Sequence, residues 1–232
     1  MHIADVSLNI VGANGIVGGG LPIAVGVALS STYLQKQALV ACFFGDGATN
    51  IGAFHESLNL ASALKLPVLW VCENNHYALS TKIETTLPVK SVFERAKAYN
   101  MPGWQVDGND VLAVQETALR AAEHIRQSKG PALIEADTYR WYGHGASDNR
   151  SYRTREEEAQ WKLRCPIDAF RRRLQAEKVM NEEEYSELEE TVKAELKAAM
   201  EFANASPSPD PLRVLENIFS EEPGTAPGHA HG

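Results

Sequence analysis

Residues 45–81 read GDGATNIGAFHESLNLASALKLPVLWVCENNHYALST, and the fold turns on this stretch. An apolar run at 38–44 delivers Asp46 into a Gly45-Asp46-Gly47 turn, and a second run at 67–72 delivers the pair Asn74-Asn75. Short continuous apolar runs bounded by turn residues read as buried strands. Two strand ends therefore each carry a hard oxygen donor, which is what an octahedral Mg²⁺ bridging a diphosphate requires. The flanking glycines let backbone N–H groups come close to phosphate oxygens. A lone Gly-Asp-Gly is a common turn; the asparagine pair, with a strand before each motif, gives the pattern its specificity.

Working outward, residues 12–20 form a glycine-rich loop and 21–33 are small and apolar enough for a buried helix. Phe54, Leu58, Ala61 and Leu64 share one face of a helix over 53–64. A short helix is expected at 91–99 and a short strand at 104–106. Val111, Val114, Ala118, Ala121 and Ile125 mark an amphipathic helix that ends near Lys129-Gly130. A third buried strand follows at 131–136. Strands alternating with helices predict an α/β fold, a doubly wound parallel sheet covered on both faces. Ligands gather at the carboxyl ends of strands in such sheets, where Asp46 and Asn75 sit. Beyond Arg153 the chain turns charged, giving C-terminal helices; Asn181 and Glu184 have the spacing of a capping box. Residues 205–211 are a Pro/Ser break, and 221–232, with His229 and His231, read as a disordered tail.

With 232 residues, 44% of them hydrophobic, the chain suffices for one packed domain. A net charge of −8 without a Lys/Arg cluster argues against nucleic acid as a partner. No run reaches the ~20 apolar residues of a membrane span. Cys42, Cys72 and Cys165 suggest neither a disulfide framework nor a zinc site, so a reducing, cytoplasmic setting is expected.

The stretch 45–81 resembles the thiamine diphosphate signature of the α subunit of the first component of 2-oxo acid dehydrogenase complexes, a family with pyruvate, branched-chain and acetoin members. The segments MHIAD and GANGIVGGG near the start, YRWYGHGASD in the middle and SYRTREE after it carry the same resemblance, which runs from about Met1 to Ile218. It implies the thiamine diphosphate-binding fold over 1–220, with thiamine diphosphate and Mg²⁺ as cofactors. Family members extend further at the N-terminus, so the chain is expected to be a truncated subunit, the alternative being a natural short form.

The resemblance assigns roles residue by residue. Asp46, Asn75 and the Tyr77 carbonyl become the metal ligands, and Gly47 and Ala48 the backbone donors to the diphosphate. Gly15 and Val17, flanking Ile16, match the segment that holds the cofactor's aminopyrimidine. Arg140 and His144 match positions at the phosphate end or the active-site channel, with His144 a proton carrier in acyl transfer to a lipoyl group. The glutamate that activates the cofactor comes from a β subunit in this family, so Glu56 is read as structural and the chain alone as incompetent. Partners implied are that β subunit, in an α2β2 heterotetramer, and the lipoyl acyltransferase core, besides a small-molecule substrate.

His76 is read as solvent-facing. Gly145 stands where mitochondrial relatives carry their main phosphorylated serine, and Ser151 is read as a polar loop residue. The expected activity is decarboxylation of a 2-oxo acid such as pyruvate, or cleavage of acetoin, with acyl transfer to lipoamide. The alternatives are the cofactor half of a split transketolase-like enzyme and a truncated, non-catalytic subunit.

Overall fold

A computed structural model describes residues 2–215, so the expected tail at 221–232, with His229 and His231, lies outside the described residues. The chain divides into two compact units, the first ending at Arg173 and the second beginning at Leu174.

The first unit holds a four-stranded parallel sheet of β1 (Val40–Gly45), β2 (Val68–Asn74), β5 (Gly103–Asp107) and β6 (Ala132–Asp137). The strands lie in the order β1-β2-β6-β5. Helices α1 (Gly20–Tyr33) and α2 (Gly52–Ala63), with a 3-10 helix at Val92–Tyr99, bury one face around Leu21, Val25, Phe54, Leu58, Val92 and the inward side chains Phe44, Val68, Trp70, Cys72 and Leu133. Helix α3 (Val111–Arg126) covers the other face, where Ala121 and Ile125 meet Leu69, Val106, Ala132 and Ile134. The expected α/β architecture, with helices on both faces, is what these layers form. A two-residue hairpin, β3 (Tyr77–Ala78) with β4 (Thr81–Lys82), follows β2, and the C-terminal helices α4 (Arg155–Lys162) and α5 (Pro166–Ala176) follow β6.

Two elements are less buried than their composition suggests. β1 alternates rather than being buried throughout: Cys42 and Phe44 face α1 and α2, while Phe43 is 64% exposed. The cause is topological, because β1 is an edge strand and α3 packs chiefly on β6, β5 and β2. Helix α1 likewise buries the stripe Leu21, Ala24, Val25 and Ala28 and leaves Ile23, Leu29 and Tyr33 exposed. Helix α3 stops short of the expected Lys129-Gly130 end. Its cap is Gln127, and Ser128 takes the left-handed conformation at φ 57°.

In the second unit, α6 (Glu182–Ala205) opens with the capping box expected from sequence. Asn181 Oδ1 accepts from the Glu184 amide at 2.9 Å and Glu184 Oε2 accepts from the Asn181 amide at 2.8 Å, which satisfies two otherwise orphaned donors. The three acidic residues of its first turn suit the positive end of the helix dipole. Among the described residues no helix is long and apolar enough to cross a membrane. All three cysteines are free and buried. Burial pushes the Cys42 thiol up to about 11 and Cys72 well above its ordinary value, so both act as core side chains.

Candidate cofactor and metal site

Parallel register brings the two halves of the motif together. Gly45 pairs with Glu73, and Asn74 pairs with Asp137, so the carboxyl ends of β1, β2 and β6 lie side by side. The chain leaves β1 into a 3-10 turn, Asp46–Asn50, which Thr49 ties off by donating from its hydroxyl to the Asp46 carbonyl at 2.7 Å. Arg95, from the 3-10 helix behind, donates to the Thr49 carbonyl and to Asn50 Oδ1.

Asp46 is 2% exposed and its Oδ2 has no hydrogen-bond partner. Burial pushes its carboxyl up; the amides of Asp46 and Asn75 and the nearby charges of His76 and Arg140 pull it back. Leaving a buried carboxylate oxygen unpaired is costly, and a hard cation at that oxygen removes the cost. Asn75 Oδ1 accepts from the Tyr77 amide at 3.2 Å and keeps a second lone pair. The Tyr77 carbonyl accepts from Arg140 Nη1 at 3.2 Å and likewise retains acceptor capacity. One carboxylate, one amide and one carbonyl make an all-oxygen donor set suited to Mg²⁺. It differs in kind from a cluster of three His, Cys, Asp or Glu side chains, of which none exists among the described residues. The residues present fit a metal-diphosphate group.

Gly47 packs so closely on the hairpin that a Cβ there would lie 2.6 Å from Ala78 Cβ. The glycine loop abuts the same turn, since a Cβ on Gly18, at φ 72°, would fall 2.1 Å from Ile51 Cδ1. Ala48 is buried beneath the turn. Gly15 is exposed, and Val17 is 66% exposed, so the described residues leave this segment uncovered.

Arg140 serves the hairpin here. Its Nη2 donates to the Leu79 carbonyl at 2.6 Å and to Tyr152 Oη at 2.8 Å, and its Nε is buried without a partner. The hairpin needs such support because His76 and Leu79 both adopt left-handed backbone, φ 72° and 55°. His144 stands exposed on the following loop, its amide donating to Asp148 Oδ2 at 2.7 Å. The structure thus gathers Asp46, Gly47, Ala48, Asn75, Tyr77 and Arg140 into one contact network, while His144, Gly15 and Val17 lie on exposed segments beside it.

Several participants were not singled out as such by sequence. His76, expected to face solvent, is half-buried: its Nε2 lies 2.8 Å from Asp137 Oδ1 and its ring packs against Trp161 and Tyr139. Glu157 accepts from the hydroxyls of Tyr77 and Tyr139, each at 2.8 Å. Burial, then those bonds, push both phenols above their ordinary range. Arg153, itself buried, donates to the carbonyls of Arg140, Trp141 and Tyr142 and pairs with Glu158 at 2.9 Å. Burial alone would raise the Glu158 carboxyl; bonds from Arg155 and Arg153 and the charge of Arg150 outweigh it and hold it down. The segment SYRTREE is therefore a clamp on the 140–153 loop. Glu56 is exposed on α2.

Residues 1–212 match the family described as the dehydrogenase E1 component. The chain is 43% identical over 220 residues to the α subunit of acetoin:2,6-dichlorophenolindophenol oxidoreductase from Bacillus subtilis (strain 168), covering 94% of this chain and 66% of that protein. It is 36% identical over 228 residues to the pyruvate dehydrogenase E1 component α subunit of Porphyra purpurea, covering 95% and 66%. With the chloroplastic pyruvate dehydrogenase E1 α-3 subunit of Arabidopsis thaliana, identity is 36% over 230 residues, covering 97% and 54%. The chain thus spans between 54% and 66% of the length of these relatives.

Proposed function

This chain belongs to the dehydrogenase E1 component family, and from that premise we propose that it acts as the α subunit of a thiamine diphosphate- and Mg²⁺-dependent dehydrogenase. The reaction is decarboxylation of a 2-oxo acid such as pyruvate, or cleavage of acetoin, with transfer of the acyl group to lipoamide. One observation carries the reading: a buried aspartate oxygen without a partner, at the end of a strand whose neighbour ends in an asparagine amide.

Asp46, Asn75 and the Tyr77 carbonyl would hold the metal. The amides of Gly47 and Ala48 would face the diphosphate, with Gly47 free of a side chain that would obstruct approach. Arg140, already committed to the hairpin that carries Tyr77, would add positive charge at the phosphate end. Gly15 and Val17 would bracket the aminopyrimidine. Thiamine diphosphate, when bound, supplies an acidic thiazolium carbon and an electron sink for decarboxylation. His144, exposed at its loop, would give a proton from its imidazole during transfer to a dithiolane sulfur.

The activating carboxylate would come from a β subunit, in an α2β2 assembly that in turn docks on a lipoyl acyltransferase core. Three free, buried cysteines suit a reducing, cytoplasmic setting. The split transketolase-like alternative has no comparable support, since the family match extends through the Tyr139–Glu157 region.

The test is Asp46→Ala and Asn75→Ala in the assembled enzyme, with thiamine diphosphate binding titrated by calorimetry at several Mg²⁺ concentrations. Each removes an oxygen that water cannot position equally well, so Mg²⁺-dependent binding should be lost while the far-ultraviolet circular dichroism stays unchanged. Wild-type affinity in both variants would overturn the assignment.

A further inference from the structure

We propose that Glu135 is a positioning residue for the metal-facing turn: acting through Asn74, it holds His76 in left-handed backbone and so fixes Asn75 and the Tyr77 carbonyl on either side. This rests on the metal-diphosphate reading of Asp46, Asn75 and Tyr77 given above.

Glu135 lies on β6 at 0% exposure, on the sheet face that also buries Leu133. It forms no ion pair among the described residues. A carboxylate buried without a counter-charge is disfavoured, so its two oxygens must be satisfied by well-placed donors. Asn74 Nδ2 donates to Oε1 at 2.7 Å, and the Phe93 amide, at the start of the 3-10 helix, donates to Oε2 at 3.0 Å.

The first of these bonds has a directional consequence. An asparagine amide can flip, exchanging its oxygen and nitrogen. With Nδ2 committed to Glu135, the Asn74 oxygen must face the other way, and there it accepts from the His76 amide at 3.1 Å. His76 has φ 72°, a conformation that side-chain-bearing residues adopt only when held. The turn is closed from beyond by the Ile83 amide donating to the His76 carbonyl at 3.0 Å. Asn75 and Tyr77 flank His76, the residue that both bonds fix. Without an acceptor at Glu135, a flipped Asn74 would turn its amino group on the His76 N–H, donor against donor, and the turn would lose its anchor. Glu135 makes no hydrogen bond to a proposed metal ligand; its bond to the His76 turn runs through Asn74.

The experiment measures the Mg²⁺ concentration that half-saturates thiamine diphosphate binding, by calorimetry, on the full chain assembled with its partner subunit. The variants are E135Q, N74D, the double variant E135Q/N74D, and D46A. In E135Q one of the two acceptors becomes a donor, and the Mg²⁺ requirement should rise about 10–100-fold, the usual range for groups behind a metal ligand. The double variant exchanges the roles. The introduced amide donates to the introduced carboxylate, whose other oxygen still accepts from His76, and the amide oxygen accepts from Phe93. Its Mg²⁺ requirement should return to near the wild-type value.

A folded E135Q with the wild-type requirement overturns the proposal, as do strictly additive effects of E135Q and N74D. A merely structural glutamate would lower the melting temperature without moving the Mg²⁺ dependence. Where E135Q does not fold, E135D takes its place, keeping the charge and withdrawing the carboxylate by one methylene, with the same rise expected. The D46A arm separates the two readings. If D46A abolishes binding and E135Q is normal, only the relay fails; if D46A binds normally, the metal-site reading fails with it.

Discussion

Asp148 shows how much one carboxylate can organise. Its Oδ2 accepts from the His144 amide at 2.7 Å and from the Tyr152 hydroxyl at 2.8 Å, and its Oδ1 from the Arg150 amide at 2.8 Å. Gly143 makes room, for a Cβ there would meet Asp148 Cβ at 2.7 Å. These bonds, the two backbone amides foremost, hold the carboxyl down to about 2. A depressed carboxylate contributes order that is complete above its unfolded value, about 4, and lost as pH falls through its folded value. The protection of the His144 and Arg150 amides, measured as exchange relative to the unstructured rate at each pH, should therefore fall between about pH 4 and about pH 2. Asp148→Asn should exchange fast already at neutral pH and lack that step. An identical profile in the variant would remove Asp148 from the role. The motif residues Asp46 and Asn75 stood out in the sequence because each oxygen-bearing side chain follows a strand-like apolar run. Asp148, Glu135 and Arg153 were not, because their meaning lies in which distant backbone amides and carbonyls they meet.

The hairpin and the turn it presses on behave as one element. Gly47 has room for hydrogen only, with Ala78 Cβ 2.6 Å from where a side chain would begin. Gly47→Ala should displace β3 and cost roughly 1–3 kcal/mol, the usual penalty for overpacking, with weakened cofactor binding alongside. Ala78→Gly in the same chain removes the opposing carbon and should recover most of the melting temperature. Failure of the pair to recover would mean that the loss stems from backbone conformation rather than from this contact. The long elements were readable because burial on a parallel sheet imposes continuous apolar runs. β3 and β4 were not, since two-residue strands carry no period and their left-handed neighbours His76 and Leu79 are neither glycine nor asparagine. The exposed Phe43 was unreadable for another reason: whether a strand is central or at an edge depends on strand order, which no local pattern encodes.

At the scale of the molecule, the first unit presents apolar side chains without cover. Val6, Leu8 and Ile16 are 76%, 67% and 75% exposed, and they adjoin the loop that would hold the aminopyrimidine. On the proposed reading this face meets further protein in the working enzyme, and the same interface delivers the activating carboxylate. The chain expressed alone should bind a hydrophobic dye, elute as a mixture of sizes and turn over neither pyruvate nor acetoin. Co-expressed with its β subunit it should elute as one species with suppressed dye binding. The sharper test concerns Glu56, a carboxylate between the two halves of the motif in sequence, which stands exposed on α2. If a β-subunit glutamate activates the cofactor, Glu56→Gln should leave the rate of the assembled enzyme within about threefold, because removing an acid-base group that matters costs about 10²–10⁴-fold. A loss of that larger size, or turnover by a monodisperse chain without a partner, would place the activating carboxylate inside this chain and overturn the two-subunit reading.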